Sequence, residues 1–197
     1  MKLTRILPFA RILMDLAVQE GDIAVDATIG NGHDTLYLAK RVGKTGHVFG
    51  FDIQTEAIEN TAKRLKEHDS FEQVTLFHAS HDELIKKIPE HYHGKITGAI
   101  FNLGYLPGGD KRIVTKPDST IRAVDQLLQI MAPEGIIVLV IYHGHPEGAV
   151  ERDVLLEYVR TLDQQKAHVL RYEFINQINN PPFIVAIEKR SGVLINQ

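Results

Sequence analysis

A doubly wound α/β sheet, closed by an antiparallel hairpin, is the fold this sequence predicts. Three observations predict it. Five short apolar runs alternate with five helical stretches, the pattern of a parallel sheet covered by helices on both faces. Two further apolar runs near the C-terminus are joined by a loop over 176–182, too short for a parallel crossover, so they pair antiparallel. No repeat, low-complexity tract or long linker divides the 197 residues, so a single domain over 1–197 is expected.

The elements follow in order. Ile23-Ala24-Val25-Asp26 reads as a buried strand. Residues 35–42 read as a helix, with Leu36, Leu38, Ala39 and Val42 near helical spacing and Gly43 and Gly46 closing it. Residues 47–52 form a second strand. A helix over 55–68 follows, with Thr55 as its cap and Ala57, Ile58, Ala62 and Leu65 inward. Residues 74–78 form a third strand, and 82–88 a short helix stopped by Pro89. The fourth strand spans 96–102. A helix over 119–131 ends at Pro133 and Gly135, and the apolar fifth strand spans 136–141. Residues 147–162 are mostly helical. The closing hairpin comprises 167–175 and 183–188. The result is a Rossmann-like seven-stranded sheet, parallel except for its C-terminal hairpin. Family knowledge of the two folds links that hairpin to the methyltransferase version rather than the dinucleotide-binding one.

Composition restricts the chemistry. The chain has no cysteine, which excludes disulfides, thiolate zinc sites and a cysteine nucleophile. None of its ten histidines shows metal-ligand spacing, and His143 and His145 lack a matching acidic cluster, so no metal site is expected. No apolar run approaches the roughly 20 residues of a membrane span. The start, Met1-Lys2-Leu3-Thr4-Arg5-Ile6-Leu7-Pro8, has no long apolar core or small-residue cleavage site. A cytoplasmic location without membrane association is expected. The formal net charge of -3 weighs against broad nonspecific nucleic-acid binding. Basic residues still gather at Lys111, Arg112, Lys116 and Arg122, and at Lys63, Arg64 and Lys66, most simply as solvated charges. Apolar helix surface leaves room for a homodimer.

The turn after the first strand, Asp26-Ala27-Thr28-Ile29-Gly30-Asn31-Gly32, has the marks of a cofactor loop. Gly30 and Gly32 permit a tight turn and close backbone approach, and the helix start beyond them favours a carboxylate. Thr35 stands where the third glycine of a dinucleotide motif would be. Asp52 ends the second strand about 20 residues beyond the glycines, where a carboxylate accepts ribose hydroxyls. Gln54 is placed to contact the ribose or adenine. Ser80 and His81, after the third strand, either meet the base edge or, for Ser80, cap the next helix. Together with the closing hairpin, these features point to S-adenosyl-L-methionine (SAM).

The fourth strand runs into Asn102-Leu103-Gly104-Tyr105. This segment resembles the Asn/Asp-Pro-Pro-Tyr segment of amino-group methyltransferases, with both prolines replaced. Asn102 offers an amide oxygen, Leu103 a carbonyl, and Tyr105 a ring or hydroxyl. Catalytic roles are expected at Asn102 and Tyr105.

The segments Asp26-Ala27-Thr28-Ile29-Gly30-Asn31-Gly32-His33-Asp34-Thr35 and Phe101-Asn102-Leu103-Gly104-Tyr105-Leu106-Pro107-Gly108-Gly109-Asp110-Lys111 together resemble a family of small bacterial proteins long described as ribosomal-RNA methylases. Its members are now associated with methylating the 5-aminomethyl group of wobble 2-thiouridine in tRNA. The resemblance spans essentially the whole chain. It implies cofactor contacts at Asn31, His33, Asp52, Gln54, Ser80 and His81, beside Asp26, Gly30 and Gly32. It also implies that Leu103, Gly104, Gly109, Asp110, Lys111 and Arg112 meet the anticodon region of tRNA. Other readings are methylation of ribosomal RNA, of a small-molecule or protein amine, and a noncatalytic nucleoside- or RNA-binding protein on the same fold.

Overall fold

The computed structural model describes residues 2–104, 108, 114–144 and 146–191. Among them, seven strands form one sheet: β1 (Ile23–Asp26), β2 (His47–Asp52), β3 (Val74–His78), β4 (Ile96–Leu103), β5 (Met131–Ile141), β6 (Ala167–Tyr172) and β7 (Phe183–Lys189). Their order is β3-β2-β1-β4-β5-β7-β6. β1 to β5 are parallel, while β7 runs antiparallel between β5 and β6. The strand order reverses between β1 and β4, so a crevice opens beyond their carboxyl ends.

Among the described residues, six helices cover the sheet: α1 (Ile6–Ala17), α2 (His33–Val42), α3 (Thr55–Glu67), α4 (Leu84–Lys87), α5 (Pro117–Ile130) and α6 (Pro146–Thr161). The strands alternate their side chains between two cores, as the two-residue strand period requires. Phe101, Leu103, Leu139 and Val185 join residues of α4, α5 and α6, including Leu84, Val124 and Leu155. Ile100, Val138, Val140 and Ile184 join residues of α1, α2 and α3, including Met14, Leu38 and Leu65. Among the described residues, no helix is long and apolar enough to cross a membrane.

The structure departs from the sequence expectations in several places, four of which bear on the elements around the crevice or its covering helices. α1 was not anticipated. It buries Ile6, Ala10, Leu13 and Met14 while Leu7, Ile12 and Leu16 remain exposed. Its buried residues do recur at helical spacing, but Leu7, Ile12 and Leu16 add apolar residues to the other face, and Arg5 at its N-cap makes no capping side-chain bond. The expected helix over 82–88 is split into a 3₁₀ turn, His81–Glu83, and the single turn α4. α5 ends at Ile130, before Pro133, because Met131 already pairs with Ile96. Thr55 begins α3, but Gln54 occupies the cap position without a side-chain bond.

Candidate active site

A cavity of about 910 Å³ lies at the carboxyl ends of β1, β2, β4 and β5. That is at the upper end for ligand pockets, with room for a cofactor and part of a second molecule. Its wall includes Thr28, Gly30, Asn31, His33, Asp52 and Asn102.

The loop after β1 is held from several sides. Gly30 and Gly32 have φ of 53° and 75°, in the left-handed region that glycine enters freely. The Gly30 amide donates to Asp52 Oδ2 at 3.0 Å, and the Gln54 amide donates to Asp52 Oδ1 at 2.9 Å. Asp52 thus ties the glycine turn to the start of α3. Each carboxylate oxygen retains acceptor capacity for a hydroxyl in the cavity. From α3, Arg64 donates to the Asn31 carbonyl at 2.8 Å. That arginine, expected to be a solvated charge, instead braces the loop.

Two expected cofactor contacts stand behind the wall. Asp26 is fully buried and does not line the cavity. Thr35 Oγ1 donates to its Oδ2 at 2.6 Å, and the Thr28 amide donates to its Oδ1 at 3.2 Å. Burial, reinforced by the negative charge of Asp34, pushes its carboxyl up to about 7. Gly32 also lies outside the lining. A Cβ there would come within 2.6 Å of Thr61 Oγ1, so this glycine serves the packing of α2 on α3. Strand-end position and glycine content do not distinguish residues that face a ligand from those that carry the loop.

Beyond β3, the capping alternative describes Ser80. Its hydroxyl accepts the Asp82 amide at 3.5 Å, although Ser80 also lines the cavity. His81 is buried in the wall beside Phe101, with its Nδ1 3.1 Å from the Ala27 carbonyl. The carbonyl can only accept, so Nδ1 carries the proton. Burial lowers the ring's pKa below the usual histidine value. Among the described residues, the buried Nε2 has no hydrogen-bond partner.

At the end of β4, the Asn102 amide donates to Thr28 Oγ1 at 2.7 Å, tying this strand to the cofactor loop. Asn102 Nδ2 donates to Asp34 Oδ2 at 2.8 Å. Asp34 Oδ1 lies 3.6 Å from the Arg11 guanidinium of α1. The Leu103 carbonyl, expected to serve an amine, accepts the Tyr142 amide at 3.3 Å. The Leu103 side chain is wholly buried. The Gly104 carbonyl accepts the Thr115 amide at 3.0 Å. Each carbonyl thus has one backbone partner, and the Asn102 side-chain oxygen is a further acceptor at this strand end. Tyr105, Gly109, Asp110, Lys111 and Arg112 lie outside the described residues.

Sequence reasoning missed other cavity residues: Arg11 from α1, Tyr142 after β5, and Asn180 from the hairpin loop. Tyr142 follows the last residue of β5, and parallel pairing with β4 brings it beside Leu103. The strand-end rule that identified Asp52 would have found it. Of the basic cluster, Lys116 lines the cavity, whereas Arg122 is paired with Asp82 at 2.7 Å. Among the described residues, no group of three or more histidines or carboxylates is arranged to hold a metal ion.

The donor set fits SAM. A carboxylate on two backbone amides faces the cavity at the end of β2, where a ribose diol would lie. Asp34 and Asp52 place negative charge around a space that would receive a sulfonium cation.

Comparison with known proteins agrees. Residues 48–188 match the family model described as "Putative rRNA methylase". The chain is 34% identical over 190 residues to the chloroplastic tRNA (mnm(5)s(2)U34)-methyltransferase of Arabidopsis thaliana, covering 92% of this chain and 69% of that protein. A crystal structure described as a putative rRNA-methylase from Clostridium thermocellum superposes with a TM-score of 0.92 at 42% identity, covering 96% of this chain and 100% of that one. A methyltransferase structure from Streptococcus mutans, in complex with SAH, gives a TM-score of 0.85 at 34% identity, covering 95% and 99% of the two chains. The chain belongs to this rRNA_methylase family and is a SAM-dependent methyltransferase.

Proposed function

We propose that the chain transfers a methyl group from SAM to the 5-aminomethyl nitrogen of wobble 2-thiouridine in tRNA. The observation that carries this reading is the end of β4, where Asn102 directs its amide nitrogen to Asp34. Its oxygen is thereby left to accept a hydrogen bond from an amine in the cavity. The Arabidopsis relative, named for this wobble nucleoside, supports the choice of substrate.

Bound SAM supplies the activated methyl group, so the protein has mainly to position the acceptor. Asp52 accepts the ribose hydroxyls, with Gln54 beside it. Asn31 and His33, at the start of α2, flank the methionine portion. Ser80 and His81 form the wall on the adenine side. Asn102 Oδ1 orients the amine toward the methyl group. Asp34 and Asp52 favour the approach of a cation. The target base must leave its stack to enter the cavity. With a net charge of -3, recognition rests on local anticodon shape and on nearby cations such as Lys116. A homodimer through the exposed face of α1 is part of this reading, and sedimentation velocity on the full chain tests it.

The family description favours ribosomal RNA as a second reading. Methyl-labelled SAM offered with aminomethyl-bearing tRNA, or with ribosomal subunits, separates the two. Label is expected in the tRNA. Label confined to ribosomal RNA would overturn the first reading.

A further inference from the structure

Asp34 is the second residue of α2 and lines the cavity. It stands between two neighbours. Oδ2 accepts from Asn102 Nδ2 at 2.8 Å, and Oδ1 faces the Arg11 guanidinium at 3.6 Å. The backbone of Asn102 is separately fixed by Thr28. The orientation of its carboxamide therefore depends on what meets the side chain.

A carboxamide has one accepting end and one donating end of nearly the same shape. With the donating end toward the cavity, an incoming amine would meet N–H groups and find no acceptor. An ionised carboxylate can only accept, so beside Asp34 just one orientation of Asn102 forms a hydrogen bond. Arg11 holds the far side of that carboxylate from α1. Through these contacts, α1 and α2 act on the end of β4.

We propose that Asp34 is a positioning residue that holds the Asn102 carboxamide with its oxygen toward the cavity and so sets the site to receive a hydrogen-bond donor, an amine. This rests on the reading of Asn102 as the group that meets the methyl acceptor. Asp34 need not touch the substrate. It acts by excluding the inverted carboxamide.

A double-mutant cycle on the full-length chain tests this. Asp34→Ala should lower kcat by at least ~10-fold and weaken SAM affinity, measured by calorimetry, at least ~3-fold less than that, the affinity loss reflecting one of the two charges facing the sulfonium. In an Asn102→Ala background, the same substitution should cost less than ~2-fold more. Asp34→Asn, whose carboxamide can donate as well as accept, no longer excludes the inverted Asn102 and should stay within ~3-fold of the Asp34→Ala turnover. In ¹H–¹⁵N spectra, the Asn102 side-chain amide pair should shift strongly in both Asp34→Ala and Asp34→Asn. Additive losses across the cycle would overturn the proposal. So would a loss of SAM affinity in step with turnover, or an Asn102 resonance unmoved by Asp34→Ala. The spectra need no RNA, so the pairing is tested even if the unaltered chain fails to methylate tRNA, which is the separate failure of the substrate reading.

Discussion

Asp52 accepts backbone amides from Gly30 and Gln54, joining the glycine turn to the start of α3. Replacing it with alanine removes both anchors and the expected ribose acceptor. Asp52→Ala should weaken SAM binding by at least ~10-fold in calorimetry, and unchanged affinity would contradict the ribose role. Asp26 leads to a different prediction. Its folded pKa is raised from 3.8 to about 7, first by burial and then by Asp34. Between those values, the folded state holds a proton that the unfolded state has released. Stability therefore falls as pH rises through this window and levels off above the folded value. Asp26→Asn lacks this dependence. The melting temperature of the variant relative to the parent, both without cofactor, should rise from pH 5 to pH 7 and change little beyond pH 8. A constant difference would show that Asp26 does not titrate as described. The position of Asp52 was legible because it ends the strand next to β1, about 20 residues beyond the glycine turn. Asp34 was not, because its role depends on a contact with Asn102, 68 positions away in sequence.

At the level of elements, Gly32 joins α2 to α3. An added Cβ would meet Thr61 Oγ1 at 2.6 Å and Thr61 Cα at 3.0 Å, and the residue has φ of 75°. Gly32→Ala should cost about 2 kcal/mol or more in chemical denaturation, combining left-handed strain with the clash. Adding Thr61→Gly should recover only part of that loss, because the backbone strain remains. Full recovery would assign the whole cost to the side-chain clash. The parallel strands were legible from apolar runs and the hairpin from its short loop. α1 was overlooked although Ile6, Ala10, Leu13 and Met14 recur at helical spacing, because Leu7, Ile12 and Leu16 on its other face obscure the pattern. Its C-terminal neighbour Val18 nevertheless packs against β4, where a Cβ on Gly98 would come within 2.4 Å of Val18 Cγ2. The Gly104–Thr115 link was also invisible. Thr115 donates to the buried Glu151 of α6 at 2.6 Å, so three elements meet at the mouth of the cavity. Such convergence leaves no periodic trace in sequence.

For the whole molecule, the sheet separates two tasks. The ends of β1 and β2 present the glycine turn and Asp52, while the end of β4 presents Asn102. Thr28 joins the two halves through the Asn102 amide. This division predicts different kinetic consequences, with Asp52 acting on cofactor affinity and Asn102 on turnover. Asn102→Ala should lower kcat at least ~10-fold more than it weakens SAM affinity, and equal losses would count against a role in methyl transfer. The account's central claim is methylation of a wobble aminomethyl group. The direct test is nucleoside mass spectrometry of tRNA bearing 5-aminomethyl-2-thiouridine, digested after incubation with the chain and SAM. The wobble nucleoside should gain one methyl group on its exocyclic amine, with the product greatly reduced in Asn102→Ala. An unchanged wobble nucleoside, with SAM bound and the tRNA properly premodified, would contradict the account.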